Sequence, residues 1–192
     1  DFEKMAAIAP SDDTYLKTSA FKHAKNRIVW LLILMISSMI TGAIIENFEA
    51  AISSLPVLVA FIPMIMGTGG NSGSQSSTLT IRGLAVDEIT TRDVFRVMWK
   101  ELIVALIVGV ALAIVNSIRI MIQYNDPKIA FTVSLTLIFT VILAKQLGGI
   151  LPILAKKLKL DPALMASPLL TTVVDTVSVL LFFTISTMVF GL

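Results

Sequence analysis

The chain has 192 residues, 56% of them hydrophobic and only 15% charged, with a formal net charge of +2. Soluble domains usually carry about 45–50% apolar and about 25% charged residues, so the composition excludes an ordinary soluble enzyme, and it is too apolar for intrinsic disorder. Fifteen basic against thirteen acidic residues leave no electrostatic footprint for nucleic acid, and the lack of cysteine removes disulfides, thiolate metal sites and cysteine nucleophiles.

Residues 1–27 form a polar segment in which Pro10 breaks any helix begun at Phe2. The chain begins at Asp1 without a methionine, which points to a domain taken from a longer protein whose preceding part is cytoplasmic. A bilayer core of roughly 30 Å needs about 20 apolar helical residues. Five stretches meet that length: Ile28 to Ile45, Ile52 to about Thr80, Leu102 to Ile122, Ile129 to Leu154 and Ala163 to Leu192. The expected fold is therefore an all-α integral membrane protein with five transmembrane helices, a domain over 28–192 in contact with membrane lipid. No short basic start or small-residue cleavage site precedes the first span, so it reads as a span and not as a signal peptide.

Cytoplasmic loops near a membrane are enriched in Lys and Arg. With the N-terminus inside, that side holds Lys4, Lys17, Lys22, Lys25, Arg27, Arg82, Arg92, Arg96, Lys100, Lys156, Lys157 and Lys159, twelve of the fifteen basic residues. Arg119 and Lys128 fall outside, so the expected orientation is a cytoplasmic N-terminus and an outer C-terminus.

Two ionisable residues lie well inside spans. Lys145 is near the cytoplasmic interface, where its stem is expected to snorkel to the headgroups. Asp175 lies twelve residues past Ala163, about 18 Å along the helix and near the midplane, and its side chain is too short to escape. Either it is a protonated carboxyl bonded to a neighbouring helix or it marks an ion or proton pathway. Ser167, Thr171, Asp175 and Ser178 follow i, i+4, i+8, i+11 spacing, one polar stripe on an apolar helix. Pro168 interrupts the backbone ladder near its start.

The second span carries Gly67-Thr68-Gly69-Gly70-Asn71-Ser72-Gly73-Ser74-Gln75-Ser76-Ser77-Thr78 at bilayer depth. Small residues also pack helices closely, but packing does not require Asn71 and Gln75. The block is expected to be loosened, non-helical backbone lining a watery cavity, which is where such backbone is tolerated. Gly67, Asn71, Gln75 and Thr78 repeat the spacing of the Asp175 stripe, so the two stripes are expected to face one another. No lysine follows the glycines, which makes a phosphate loop a poor fit. Ser38, Thr41 and Gly42 read as packing positions.

One carboxylate with hydroxyl, amide and backbone oxygens suits a hard cation such as Mg²⁺ or Ca²⁺ rather than copper or zinc. The single histidine, His23, lies outside the spans. A lone Asp does not cage a divalent ion, whereas two copies about a twofold axis present two carboxylates. Mg²⁺ dehydrates reluctantly and keeps several waters, so a wide polar constriction holds it through its hydration shell. A homodimer seam is therefore the expected pore. Glu46, Glu49 and Asp126 either concentrate cations at the outer entrance or are ordinary solvated loop charges.

The run Phe61-Ile62-Pro63-Met64, the glycine block and Ile81-Arg82-Gly83-Leu84-Ala85 resemble the second transmembrane helix of the MgtE magnesium channels, which are related to a eukaryotic solute-carrier family of magnesium transporters. Asp161-Pro162-Ala163 and Pro168-Leu169-Leu170-Thr171-Thr172-Val173-Val174-Asp175 look like that family's fifth helix, and the likeness covers essentially the whole chain. The resemblance implies a homodimer taking up hydrated Mg²⁺ as its transported ion, with no organic cofactor. It implies a central site at Asp175 from both chains, backbone oxygens at Gly67 and Thr171, and Asn71 lining the same pore. It also implies cytoplasmic N and CBS regulatory domains in full-length relatives; these are absent from the chain, and Asp1 to Ala9 would match only the tail of their connecting helix. Ser167 stands where some members carry Asn, and Thr171 where others carry a smaller residue.

Two other classes compete. An aspartyl intramembrane protease needs two acids in one chain, and a serine type needs a histidine at the right depth; neither is present among the spans. A proton-coupled secondary transporter using Asp175 as proton carrier is the remaining alternative.

Overall fold

The computed structural model describes residues 15–48, 53–165 and 167–191. The described chain runs through α1 (Ala20–Asn47), a short 3₁₀ helix (Pro56–Phe61), α2 (Ile62–Ala85), α3 (Val94–Tyr124), α4 (Pro127–Lys157), a second 3₁₀ turn (Pro162–Met165) and α5 (Ser167–Phe190). Four of these, α1, α3, α4 and α5, are long and apolar enough to cross a membrane. With 24 residues α2 is about 36 Å long, and it misses that class because its Gly, Ser and Thr, with Asn71 and Gln75, lower its hydropathy.

The helix ends follow local chemistry. Ser19 caps α1 by accepting from the Lys22 amide at 3.3 Å, so the helix begins eight residues before the expected span. The second span was expected from Ile52, which lies outside the described residues. Helix α2 starts only at Ile62, because Pro56 and Pro63 lack amide donors and fit only in first turns. Asn125, with φ of 50°, closes α3 through its amide to the Met121 carbonyl at 3.1 Å. Asp126 then caps α4 by accepting from the Lys128 and Ile129 amides at 2.8 and 3.2 Å, with Pro127 in the first turn. Two residues thus join α3 to α4 as an antiparallel hairpin. At the end of the chain, Leu192 lies outside the described residues.

Helix α4 is central and packs against α2, α3 and α5, whereas α1 lies chiefly on α5. One core joins Leu58, Phe61, Ile65, Ile120, Val133, Leu137, Val179, Phe182 and Phe183, and a smaller one joins Ala144, Leu170 and Val174. Only Thr41 of α1 is buried. A helix apolar all round with so little burial has lipid as its solvent, and the chain is a multi-pass membrane protein.

The glycine block is not loosened: α2 is continuous α-helix through all of it. Glycine costs about 1 kcal/mol relative to alanine in a helix interior, and close approach is what that cost makes room for. A Cβ on Gly69 would lie 2.7 Å from Val174 Cγ1 and 2.8 Å from Thr140 Cγ2, and one on Gly148 would run into the Gly73 carbonyl oxygen. The small residues are the contact surface of α2 against α4 and α5.

Candidate pore-lining site

The geometry starts from the α2–α5 contact. Gly69, Gly70 and Gly73 are buried and turn toward α5 and α4. A Cβ on Gly70 would meet Thr171 Cγ2 at 3.2 Å and Asp175 Oδ1 at 3.9 Å. Asp175 therefore lies beside the glycine block, next to Gly70. Thr171 and Asp175 are half-buried, while Gly67, Asn71, Gln75 and Thr78 are exposed. Within one chain the two stripes flank one another along the α2–α5 edge and do not face each other.

The α5 stripe is also split. Ser178 is turned inward, fully buried, 3.2 Å from where a Gly69 Cβ would stand. The side chain of Ser167 lies outside the described residues. Pro168 sits in the first turn of α5, and its carbonyl accepts the Thr171 and Thr172 hydroxyls at 3.0 and 2.8 Å. Those bonds satisfy both hydroxyls within the helix and fix Thr171 one turn below Asp175. Chemically, the edge offers one carboxylate, an amide pair at Asn71 and Gln75, and hydroxyls: oxygen donors suited to a hydrated hard cation. Among the described residues no cluster of three or more His, Cys, Asp or Glu is present.

Lys145 departs from expectation. It does not snorkel but is 4% exposed, with Nζ donating to Ser76 Oγ at 3.4 Å. Ser76 Oγ in turn donates to Glu101 Oε2 at 2.5 Å. The cause is packing: the Gly73–Gly148 contact brings α4 so near α2 that the lysine reaches a neighbour before it reaches the surface. The sequence did carry a signal for this group, an acid and a base lying at the same end of consecutive antiparallel spans. A second unforeseen contact is the hydroxyl pair Thr41 Oγ1 and Thr176 Oγ1 at 2.8 Å, which ties α1 to α5 behind Asp175.

The loops between α2 and α3 and between α4 and α5 meet at one end of the bundle. Lys156 Nζ donates to the Leu84 carbonyl at 2.8 Å and lies 3.9 Å from Asp87 Oδ1. Asp93, just before α3, accepts from the Thr90 hydroxyl and amide at 2.6 and 3.0 Å and pairs with Arg96 at 3.2 Å. These bonds, those of Thr90 first, hold its carboxyl below the usual carboxylate range.

A family model described as MgtE, divalent cation transporter, matches residues 62–185. A magnesium transporter MgtE of Bacillus subtilis is 35% identical over 187 residues, 97% of this chain and 41% of the relative. Its counterpart from Thermus thermophilus is 33% identical over 188 residues, 97% of this chain and 41% of the relative. One from Enterococcus faecalis is 29% identical over 183 residues, 95% of this chain and 40% of the relative. The chain thus spans about two fifths of the length of these relatives.

Proposed function

The chain belongs to the MgtE family of divalent cation transporters, and from that premise we propose that it is the pore domain of a Mg²⁺ channel, passing the hydrated ion inward at the seam of a homodimer. The observation that carries the reading is the exposed stripe Gly67, Asn71, Gln75 and Thr78 beside half-buried Asp175, on a bundle whose other faces are apolar. Polar groups at bilayer depth need protein or water next to them. A second copy applied along the α2–α5 edge supplies both and doubles the carboxylate. Asp175 carries the charge at the constriction, with Gly67 and Thr171 backbone oxygens, Asn71 and Ser167 beside it, all acting on ion-bound water.

The orientation proposed has the basic loops in the cytoplasm, which agrees with their meeting at one end through Lys156 and Leu84. A divalent ion moving inward then gains about 4.6 kcal/mol per 100 mV, and no nucleotide need be consumed. The proposed division is a cytoplasmic segment over 1–27 and the pore over 28–192, with regulation supplied by cytoplasmic domains of the kind carried by full-length members. The reading is of a transporter, not an enzyme.

Liposomes containing the protein and a Mg²⁺ dye test this. Uptake driven by an inside-negative potential is expected, and Asp175→Ala is expected to abolish it. Normal uptake by the variant contradicts the reading, and a strict requirement for a pH gradient replaces it with proton-coupled transport through Asp175.

A further inference from the structure

The back of α2, away from the Gly67–Asn71–Gln75 stripe, carries a polar group that the transport reading leaves unused. Lys145 of α4 and Ser76 of α2 are 4% and 1% exposed. The Lys145 ammonium donates to Ser76 Oγ at 3.4 Å, and Ser76 Oγ donates to Glu101 Oε2 of α3 at 2.5 Å. A hydroxyl has one proton to give and lone pairs to receive with, so Ser76 serves both charges at once.

The surroundings leave these groups little freedom. A Cβ on Gly149 would lie 3.1 Å from Val97 Cγ1 and 3.3 Å from Glu101 Cγ, so the glutamate stem is pressed onto the α4 backbone. Glu101 borders a cavity of about 350 Å³ that is also lined by Thr80, Arg82, Glu88 and Lys100. Lys145 is not on that cavity, and among the described residues its only hydrogen-bond partner is Ser76.

We infer that Lys145, Ser76 and Glu101 form one intramembrane charge bridge that sets the rotation of α2 about its axis and so keeps Asn71 and Gln75 on the exposed stripe. Ser76 follows Gln75 directly, about 100° round the helix, so any turn of α2 that frees Ser76 carries Gln75 off the stripe. Lys145 is buried and Glu101 half-buried; a buried charge is costly when its partner is removed, whereas removing both members of the pair is close to neutral. That asymmetry gives the bridge its signature. All three act as positioning residues; their bearing on transport rests on the reading above, whereas their effect on α2 does not.

The chain lacks cysteine, so Gln75→Cys gives a single thiol whose labelling by a water-soluble reagent in liposomes reports the setting of α2 without reference to transport. Lys145→Met, Glu101→Gln and Ser76→Ala are each expected to slow labelling about tenfold, and Lys145→Met with Glu101→Gln to restore it. In chains with the native Gln75, Mg²⁺ uptake should follow the same pattern. Unchanged labelling in the single variants overturns the bridge. So does a double variant that labels, or folds, no better than the worse single one; a double variant that folds where Lys145→Met does not supports it. If the otherwise unaltered protein takes up no Mg²⁺ while the labelling pattern holds, the transport reading falls and the bridge stands.

Discussion

Asp175 is held where an acid in a membrane helix has nowhere else to go. Gly70 leaves room for its carboxyl and for Thr171, and the nearest Thr171 methyl would stand 3.2 Å from any Cβ at Gly70. Gly70→Val therefore overpacks the contact, with an expected cost of about 1–3 kcal/mol, read as a lower melting temperature in detergent together with loss of uptake. Thr41 acts on the same helix from behind, through Thr176 Oγ1 at 2.8 Å. Hydrogen bonds between membrane helices average about 0.6 kcal/mol, and Thr176 keeps its bond to the Thr172 carbonyl at 2.9 Å. Thr41→Val should accordingly lower stability by only about 0.6 kcal/mol; a chemical unfolding series in mixed micelles measures it. Asp93 is the residue with a defined pH signature. Its carboxyl is held below its ordinary value of 3.8 by Thr90 and Arg96. The stability it adds is fully present above that value and is lost as pH falls through the lower, folded one. Melting curves of the protein and of Asp93→Asn should differ near neutral pH and converge in strong acid.

At the scale of elements, the sequence made the helices legible and their contacts only partly so. The five apolar runs set the number and order of the long helices, whereas the two-residue turn at Asn125-Asp126 before Pro127 came only with the structure. The glycine block was read as loosened backbone because glycine and polar side chains weaken a helix locally. The structure shows helix there because Gly69, Gly73 and Gly148 let α2 lie against α4 and α5 more closely than any side chain allows. A local propensity was outweighed by tertiary packing, which one helix's sequence does not display. Lys145 illustrates the same limit. Its distance from the helix end permits snorkelling, and only the position of Ser76 on the neighbouring helix shows that it turns inward. Asp175 was legible because an unpaired acid at mid-span stands out in an apolar run, while its neighbour Gly70 was not, since the i, i+4 register of the polar side chains pointed instead to Gly67 and Asn71. At this scale Gly148→Leu is expected to separate α2 from α4, with loss of folded protein on size exclusion, because the added side chain meets the Gly73 carbonyl and not a movable side-chain tip.

For the whole molecule, the contrast between faces matters most. Leu31, Leu32, Met35, Ile36 and Met39 of α1 and Ile107, Ile114, Val115 and Ile118 of α3 are exposed and apolar, as a lipid-facing surface should be. Gly67, Asn71, Gln75 and Thr78 are equally exposed and polar or bare, as such a surface should not be. On the proposed reading a second copy covers that edge and the ion passes between the two. The absence of cysteine allows a direct test with Asn71→Cys as the single thiol. In liposomes with a Mg²⁺ dye, a reversible bifunctional thiol reagent should join two chains at this position and stop uptake, and reduction should restore both the separate chains and the flux. Free passage of Mg²⁺ through the joined pair, or no joining at Asn71→Cys while uptake proceeds, would contradict a pore at the seam.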